Sequence, residues 1–163
     1  MGLSPRLIYT GFLNLCGLLA GAIIALIAVM VSLDVVLRNL AIGNFPWLIE
    51  VTEYALFGIT FLAAPWVLHL GAHVRVDILI EALPRKANIV LECLMDIFGF
   101  LLSLVLIYYG IVATLDAWSL GSLIFKELIV PEWQLLWVIP FSGLLLALEF
   151  MLRILRTLQV VSV

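Results

Sequence analysis

Long uncharged runs divide this sequence into apolar segments that are separated by short polar connections. Residues 7–33 carry no charge, and neither do residues 54–74, 97–115 and 133–148. An α-helix needs about 20 predominantly apolar residues to cross the hydrocarbon core of a bilayer. The pattern therefore predicts an all-α membrane protein with four transmembrane helices, at about residues 12–35, 49–70, 90–112 and 132–153.

The first apolar run is longer than the apolar region of a cleaved signal peptide, which spans about 7–15 residues. The small residues Ala20, Gly21 and Ala22 resemble a cleavage site, but the run continues well past them to Leu33. We therefore expect the first helix to be retained.

The connection between the second and third helices has a different pattern. From His69 to Asn88, apolar positions alternate with charged ones, as in Val74, Arg75, Val76, Asp77, Ile78, Leu79 and Glu81. The segment is too short and too polar to span a bilayer. It predicts an amphipathic arm that lies in the plane of the membrane at the cytoplasmic interface.

Composition supports a lipid environment. The chain has 163 residues, of which 66% are hydrophobic and 12% charged, and its mean hydropathy is +1.29. Soluble domains carry about 25% charged residues. These values exclude a disordered chain, an ordinary soluble enzyme and a basic nucleic-acid-binding protein, so we expect the bilayer as a partner and no nucleic acid.

The few basic residues predict the orientation. One side of the membrane carries Arg6, Arg75, Arg85, Lys86, Arg153 and Arg156, and the other carries Arg38 and Lys126. Because cytoplasmic loops carry the excess of Lys and Arg, both termini are predicted to be cytoplasmic. Loops one and three then face outward.

The charged residues lie near the predicted helix ends, and none lies at mid-membrane. Self-sufficient ion-coupled carriers place their binding groups near the midplane. We therefore expect a supporting subunit that has no buried charge of its own. Asp34 and Arg38 have the favourable order for a pair on one helix face. Arg38 is also expected within reach of Glu50 or Glu53 across loop one, as a polar lock or as a simple interfacial charge cluster.

Three small residues and two histidines suggest further contacts. Gly17, Gly21 and Ala25 share a helix face and predict a packing seam, within the chain or with another subunit, unless the spacing is chance. His69 and His73 are four residues apart, so a haem or metal site is conceivable. An interfacial histidine pair is favoured, and we predict no metal and no cofactor.

Catalytic motifs are not apparent in the sequence. It contains no phosphate-binding loop, no zinc motif and no serine with a plausible histidine and acid arrangement. Cys16 and Cys93 are interpreted as small apolar packing residues. We therefore expect a protein that is not an enzyme.

Several motifs in order resemble one known family. They are LDVVLRN before loop one, FPWLIEVTEY at the second helix, the G-x-H-x-x-V-D pattern of Gly71, His73, Val76 and Asp77, Pro84 at the end of the arm, and VPEWQLLWVIPFSGLLLALEFMLRIL at the last helix. Together they resemble the small membrane subunit, the Dct-type Q subunit, of tripartite ATP-independent periplasmic (TRAP) transporters. The stretch Ala63-Ala64-Pro65 departs from the glycine-containing sequence that is more usual there.

The resemblance implies a single small-permease domain over residues 1–163 in the bacterial inner membrane. Its expected partners are a large membrane subunit, which carries an organic acid with an ion that is typically sodium, and a periplasmic solute-binding protein. The positions that match the family suggest a polar lock to the partner at Arg38, Trp47, Glu50, Glu53, Gly71, His73 and Asp77. We expect docking of the binding protein near Trp47, Lys126 and Glu127.

Two other functional classes remain open from the residues alone. One is a haem-bearing membrane anchor of a respiratory oxidoreductase, which would use His69 or His73. The other is a small homodimeric four-helix exporter, which would need an intramembrane carboxylate such as Glu53, Glu92 or Asp96.

Overall fold

A computed structural model describes residues 5–43, 45–71 and 85–161. The elements in chain order are α1 (Pro5–Asn39), α2 (Trp47–His69), α3 (Arg85–Leu120), β1 (Leu123–Ile124), β2 (Val130–Pro131), α4 (Trp133–Leu136) and α5 (Val138–Val161). Four segments are long and apolar enough to cross a membrane: Tyr9–Asn39, Trp47–His69, Ala87–Leu120 and Trp133–Thr157. The predicted all-α architecture with four spans is therefore confirmed. The predicted in-plane arm lies outside the described residues.

The helices extend beyond the bounds that the uncharged runs predicted. Helix α1 continues to Asn39 and helix α3 continues to Leu120, whereas their predicted ends were residues 35 and 112. An uncharged run marks the part of a helix that suits hydrocarbon. The helix itself continues through Arg38 and Asp116 until a backbone stop signal ends it.

Left-handed residues supply those stop signals. Gly71 follows α2 with φ of 70°, and Gly121 follows α3 with φ of 60°. After Gly121, the N–H of Ser122 donates to the Ala117 carbonyl at 3.1 Å, which is the hydrogen bond of a Schellman cap. Gly71 is also the first residue of the G-x-H-x-x-V-D pattern. Its left-handed backbone indicates that its role within the chain is to end α2.

The fourth span contains a local irregularity near its start. Proline at position 140 cannot donate a hydrogen bond to the carbonyl of Leu136. Trp137, between α4 and α5, keeps helical dihedrals (φ −59°, ψ −22°), and its carbonyl accepts from the N–H of Phe141 at a long 3.4 Å. The helix predicted over 132–153 is therefore one span, in which α4 continues through Trp137 into α5.

The four spans form a row in the order α1, α2, α5, α3, because the main interhelical contacts join these neighbours. The α3–α5 seam is the closest. A Cβ atom added to Gly110 would lie 3.0 Å from the backbone N of Pro140, and one added to Gly143 would lie 3.3 Å from the backbone N of Ile107, so the two backbones themselves approach closely. Small residues at these positions let two backbones approach where lipid provides no hydrophobic drive.

The α1–α2 seam uses only part of the predicted small-residue face. A Cβ atom added to Gly17 would lie 2.3 Å from the indole ring of Trp66, so this glycine is needed for the packing of α1 on α2. A Cβ atom added to Gly21 would have no neighbour within 4 Å, and Ala25 is exposed. Within the chain, the expected three-residue seam is therefore reduced to Gly17.

Loop three folds as a short hairpin. Strands β1 and β2 pair antiparallel, with Leu123 opposite Pro131 and Ile124 opposite Val130. The hairpin joins α3 to α4, and its tip at residues 125–129 reaches the start of α2. Loops one and three therefore lie at the same end of the row.

Candidate functional site

The tip of loop three is held by a carboxylate on α2. The side chain of Glu50 is buried, with 8% of the residue exposed. Its Oε1 accepts a hydrogen bond from the backbone N–H of Glu127 at 2.6 Å, and its Oε2 accepts one from Leu128 at 2.8 Å. One carboxylate thus satisfies two consecutive backbone donors that secondary structure leaves free.

A second acid on α2 holds the same loop by its side chain. Lys126 Nζ donates to Glu53 Oε2 at 2.6 Å and lies 5.7 Å from the centre of the Tyr54 ring. The hydrogen bond that Lys126 donates to the Glu53 carboxylate raises the pKa of Lys126. We call the two hydrogen bonds of Glu50 with the backbone of Glu127 and Leu128, together with the Glu53–Lys126 contact, the loop clamp.

Loop one has a similar fastening. Asp34 is buried, and its Oδ1 accepts a hydrogen bond from the backbone N–H of Phe45 at 2.9 Å. Its Oδ2 accepts one from Arg38 Nη2 at 2.5 Å. The expectation that Arg38 pairs with Glu50 or Glu53 is wrong, because Asp34 one turn earlier holds the guanidinium and the glutamates are engaged with loop three.

The opposite end of the row contains a buried polar pair. Glu149 on α5 is only 1% exposed, and its Oε1 lies 3.2 Å from Nδ1 of His69 at the end of α2. The ring of Tyr9 on α1 packs edge-on against the His69 ring. The three side chains join α1, α2 and α5, and one nitrogen of the histidine proposed for haem faces a carboxylate.

A second ion pair joins α3 to α5 near that end. Arg153 Nε lies 3.2 Å from Asp96 Oδ1, and Asp96 is buried. Asp34, Glu50, Asp96 and Glu149 are therefore all buried acids. The expectation of a chain with no buried charge is wrong, because neighbouring helices and loops cover acids that a linear pattern places at the membrane surface.

Between the two ends of the row, a side chain on α5 supplies a hydrogen bond that α2 lacks. Pro65 lies inside α2 and has no N–H to donate to the carbonyl of Phe61. The hydroxyl of Ser142 on α5 donates to that carbonyl at 2.5 Å. Neighbouring helices often satisfy backbone groups that proline leaves free in membrane helices. This contact also fixes the position of α2 on α5.

The remaining predicted site residues are distributed around these contacts. Trp47 begins α2 and packs against Phe45, with ring centres 6.0 Å apart. The backbone of Glu127 is part of the loop clamp, whereas its side chain is exposed. His73 and Asp77 lie outside the described residues. The structure thus brings Glu50, Glu53 and Lys126 together and places Arg38 in a separate contact.

Sequence reasoning missed the residues that join the helices in the middle of the row. Gly110, Ser142 and Gly143 gave no signal, because single small residues are common in apolar helices. Pro65 was the available signal for Ser142, since a proline inside a membrane helix leaves a carbonyl that needs a donor. The sequence also contained a signal for Glu149, because this acid, two residues after Ala147, lies inside an otherwise apolar helix.

These contacts hold elements in place and show no arrangement for chemistry. Within residues 5–43, 45–71 and 85–161, no three His, Cys, Asp or Glu side chains are grouped to hold a metal ion. Each buried acid faces another part of the same chain.

Comparison with known families is consistent with such a supporting role. Residues 27–160 match the family described as tripartite ATP-independent periplasmic transporters, DctQ component. The chain belongs to the DctQ family. This match covers the loop clamp, the His69–Glu149 pair and all four spans except the first part of α1, so among the contacts described above only those of Tyr9 and Gly17 lie outside it.

Membership makes the chain the small membrane subunit of a TRAP transporter, a multi-pass membrane protein. DctQ is a family of transporter components and not of enzymes. Its members belong to three-part systems, which implies a large membrane subunit and a binding protein. No curated protein matches the chain.

Proposed function

We propose that this DctQ subunit is a fixed scaffold in the bilayer for the large ion-coupled subunit of its transporter. The observation that carries the proposal is the use of the buried acids. Asp34 and Glu50 bind loop backbone, and Asp96 and Glu149 face side chains of other helices. Carboxylates engaged in this way hold parts of the chain together, which is the property that a scaffold needs.

The proposed partner is the static part of the large subunit. The exposed positions Gly21 and Ala25 on α1 permit close approach of a helix from a neighbouring subunit. The polar residues Arg38, Trp47, Glu53, His73 and Asp77 at the ends of the spans would complete the contact. The large subunit would then move its solute site against a frame that does not move.

The remaining parts of the proposal follow from family membership and charge. Both termini and the arm around His73 to Pro84 would lie on the cytoplasmic side of a bacterial inner membrane. A periplasmic binding protein would deliver an organic acid and dock near Trp47, Lys126 and Glu127. Uptake would be driven by an ion gradient, typically sodium, through the large subunit.

Affinity capture tests the scaffold directly. The chain is expressed with an affinity tag beside its chromosomal neighbours, purified in mild detergent and analysed by mass spectrometry. We expect a large multi-pass membrane protein in a fixed ratio. Recovery of a stable chain that never captures a large membrane protein would contradict the proposal, and solute transport by the chain alone in liposomes would favour an exporter.

A matched pair of variants tests the proposed face on α1. Gly21→Leu and Gly58→Leu both add a side chain where no atom lies within 4 Å of the new Cβ, so both are expected to fold. Gly21→Leu should reduce capture of the large subunit, and Gly58→Leu serves as the control on α2. Equal capture by both variants would remove the α1 face from the proposal and leave the scaffold itself standing.

A further inference from the structure

We propose that the hairpin of loop three rests in the membrane interface, with Phe125 and Ile129 inserted among the lipids of the leaflet on its side. The inference begins with exposure. Phe125 is 76% exposed and Ile129 is 64% exposed, and both flank the residues that the loop clamp holds. Two large apolar side chains at the tip of one short loop are unfavourable in water, so we expect an apolar environment around them.

The loop clamp fixes the depth of the tip. Glu50, Glu53 and Tyr54, which contact the tip, lie in the first two turns of α2. Helix α2 has 23 residues and is about 34 Å long at 1.5 Å per residue. The hydrocarbon core is about 30 Å thick, so those turns lie where a helix enters it. The tip therefore lies beside the start of a span, at the depth of the headgroups and the first acyl carbons.

The lipid-facing surface of α3 continues into the hairpin. Val105, Tyr108, Val112 and Leu115 form an exposed stripe at helical spacing along α3. Beyond them, Leu120 at the end of α3 is 79% exposed and Leu123 in β1 is also exposed. The hairpin thus extends an apolar surface that already faces lipid, and Trp118 and Trp133 pack together beside it with ring centres 4.7 Å apart.

The charges of the loop favour lipid over a protein as the occupant. Lys126 is paired with Glu53, and the backbone donors of Glu127 and Leu128 are used by Glu50. The apolar side chains are thus separated from polar groups that would otherwise oppose insertion. The exposed carboxylate of Glu127 remains available to water, which fits an interfacial loop with one apolar and one polar side.

Site-directed labelling in lipid nanodiscs tests the proposal. Cys16 and Cys93 are replaced by alanine in the full-length chain, and Phe125→Cys, Ile129→Cys and Glu127→Cys each receive a nitroxide. Collision with oxygen, which partitions into lipid, is compared with collision with a water-soluble nickel chelate. We expect oxygen to dominate at positions 125 and 129 and the chelate to dominate at position 127.

A second measurement needs no nitroxide and applies if the label disturbs the loop. An unlabelled cysteine at position 129 should react with a charged maleimide about tenfold more slowly than one at position 127, because a charged reagent enters an apolar environment poorly. Equal reactivity, or chelate-dominated collisions at 125 and 129, would overturn the proposal. Protection that appears only after a binding protein is added would also overturn it, in favour of protein docking.

Discussion

The two ends of the helix row use buried carboxylates in different ways. At the end with loops one and three, Asp34 and Glu50 accept hydrogen bonds from backbone N–H groups of the loops. At the other end, Asp96 and Glu149 face side chains, Arg153 and His69, on neighbouring helices. The first end fixes loops to helices, and the second fixes helices to one another.

The difference determines which substitutions each end can accept. At Glu50 the two backbone N–H groups bind different oxygens of one side chain, and a carboxylate supplies two acceptor oxygens where an amide supplies one. A contact between two side chains is less demanding, because a neutral pair of similar size can replace a buried ion pair at little cost. We therefore expect the end with loops one and three to be strict, so that substitution of its acid destabilises the protein strongly. We expect the opposite end to be tolerant, so that such a substitution has a small effect.

The largest effect is expected at Glu50. Glu50→Ala should lower the free energy of unfolding by about 3 kcal/mol, because hydrogen bonds to a charged group are worth about 1.5–3 kcal/mol each and two buried donors lose their partner. Glu50→Gln should also destabilise, since the amide offers one oxygen and turns its NH₂ toward the second donor. Titration with SDS in bicelles measures both variants.

If Glu50→Gln is as stable as the unchanged chain, the loop end does not require a carboxylate and the expected difference between the two ends is wrong. A matched control is Glu53→Gln, whose carboxylate is exposed and holds Lys126 by a side-chain contact. Surface ion pairs contribute little, so the effect of this control should be much smaller than that of Glu50→Gln.

An intermediate effect is expected between the two ends, at Ser142. Ser142→Ala should cost about 1 kcal/mol, because it leaves the Phe61 carbonyl without its donor. Pro65→Ala restores a backbone N–H at that carbonyl, so Ser142→Ala should cost less in the Pro65→Ala background. A double-mutant cycle measures this coupling.

Ser103 provides the control for Ser142. Its hydroxyl is also buried, but it donates to Gly99 within its own helix, where the backbone already supplies a donor. Ser103→Ala should therefore cost less than Ser142→Ala. Independent effects of Pro65→Ala and Ser142→Ala would show that the hydroxyl does not repair the helix.

A small effect is expected at the tolerant end. Glu149→Gln should change the free energy of unfolding by less than about 1 kcal/mol, because the amide keeps the volume of the side chain and can donate a hydrogen bond to His69 Nδ1, so the contact persists in neutral form. The same SDS titration applies. A loss as large as that of Glu50→Ala would show that the two ends are equally strict.

The smallest effect is expected at Lys126. Lys126→Met should lower stability only slightly, and added salt should remove most of the difference. Because the hydrogen bond to Glu53 raises the pKa of Lys126, its contribution is fully present below the ordinary lysine value of about 10.4 and is lost as the pH rises through the raised value. Stability of the unchanged chain should thus show no Lys126-dependent loss between pH 7 and pH 9, checked against Lys126→Met.

The sequence was sufficient for the number of spans and for the family. Uncharged runs identify hydrocarbon-crossing segments because bilayer thickness sets their length, and the ordered motifs around Trp47 and Pro131 were specific enough to indicate a DctQ subunit. The same pattern predicted the positions of the helix ends poorly, because α3 stops at Gly121 and not at the nearest charged residue.

The contacts between helices could not be predicted in the same way. Linear spacing indicated that Asp34 and Arg38 share a face, but it could not show that loop three returns to Glu50. The order of the helices in the row decides which small residues meet a neighbour, so Gly17 packs and Gly21 does not. Those facts depend on the three-dimensional arrangement and not on local pattern.

The lengths of the spans have a consequence for the membrane itself. The two spans at the edges of the row have 31 and 34 residues, whereas the inner span of α2 has 23. At 1.5 Å per residue these are about 46, 51 and 34 Å long, against a hydrocarbon core of about 30 Å. Mismatch is set by the uncharged run and not by the whole helix: run 7–33 of α1 has 27 residues and is about 40 Å long, whereas run 97–115 of α3 has 19 residues and is about 28 Å long. Helix α1 must therefore tilt or thicken the bilayer beside it, at a cost that rises with each ångström of mismatch, whereas α3 extends beyond the core with its charged ends. Lipid chain length thus becomes a variable for this subunit, with thin membranes favouring a more inclined α1.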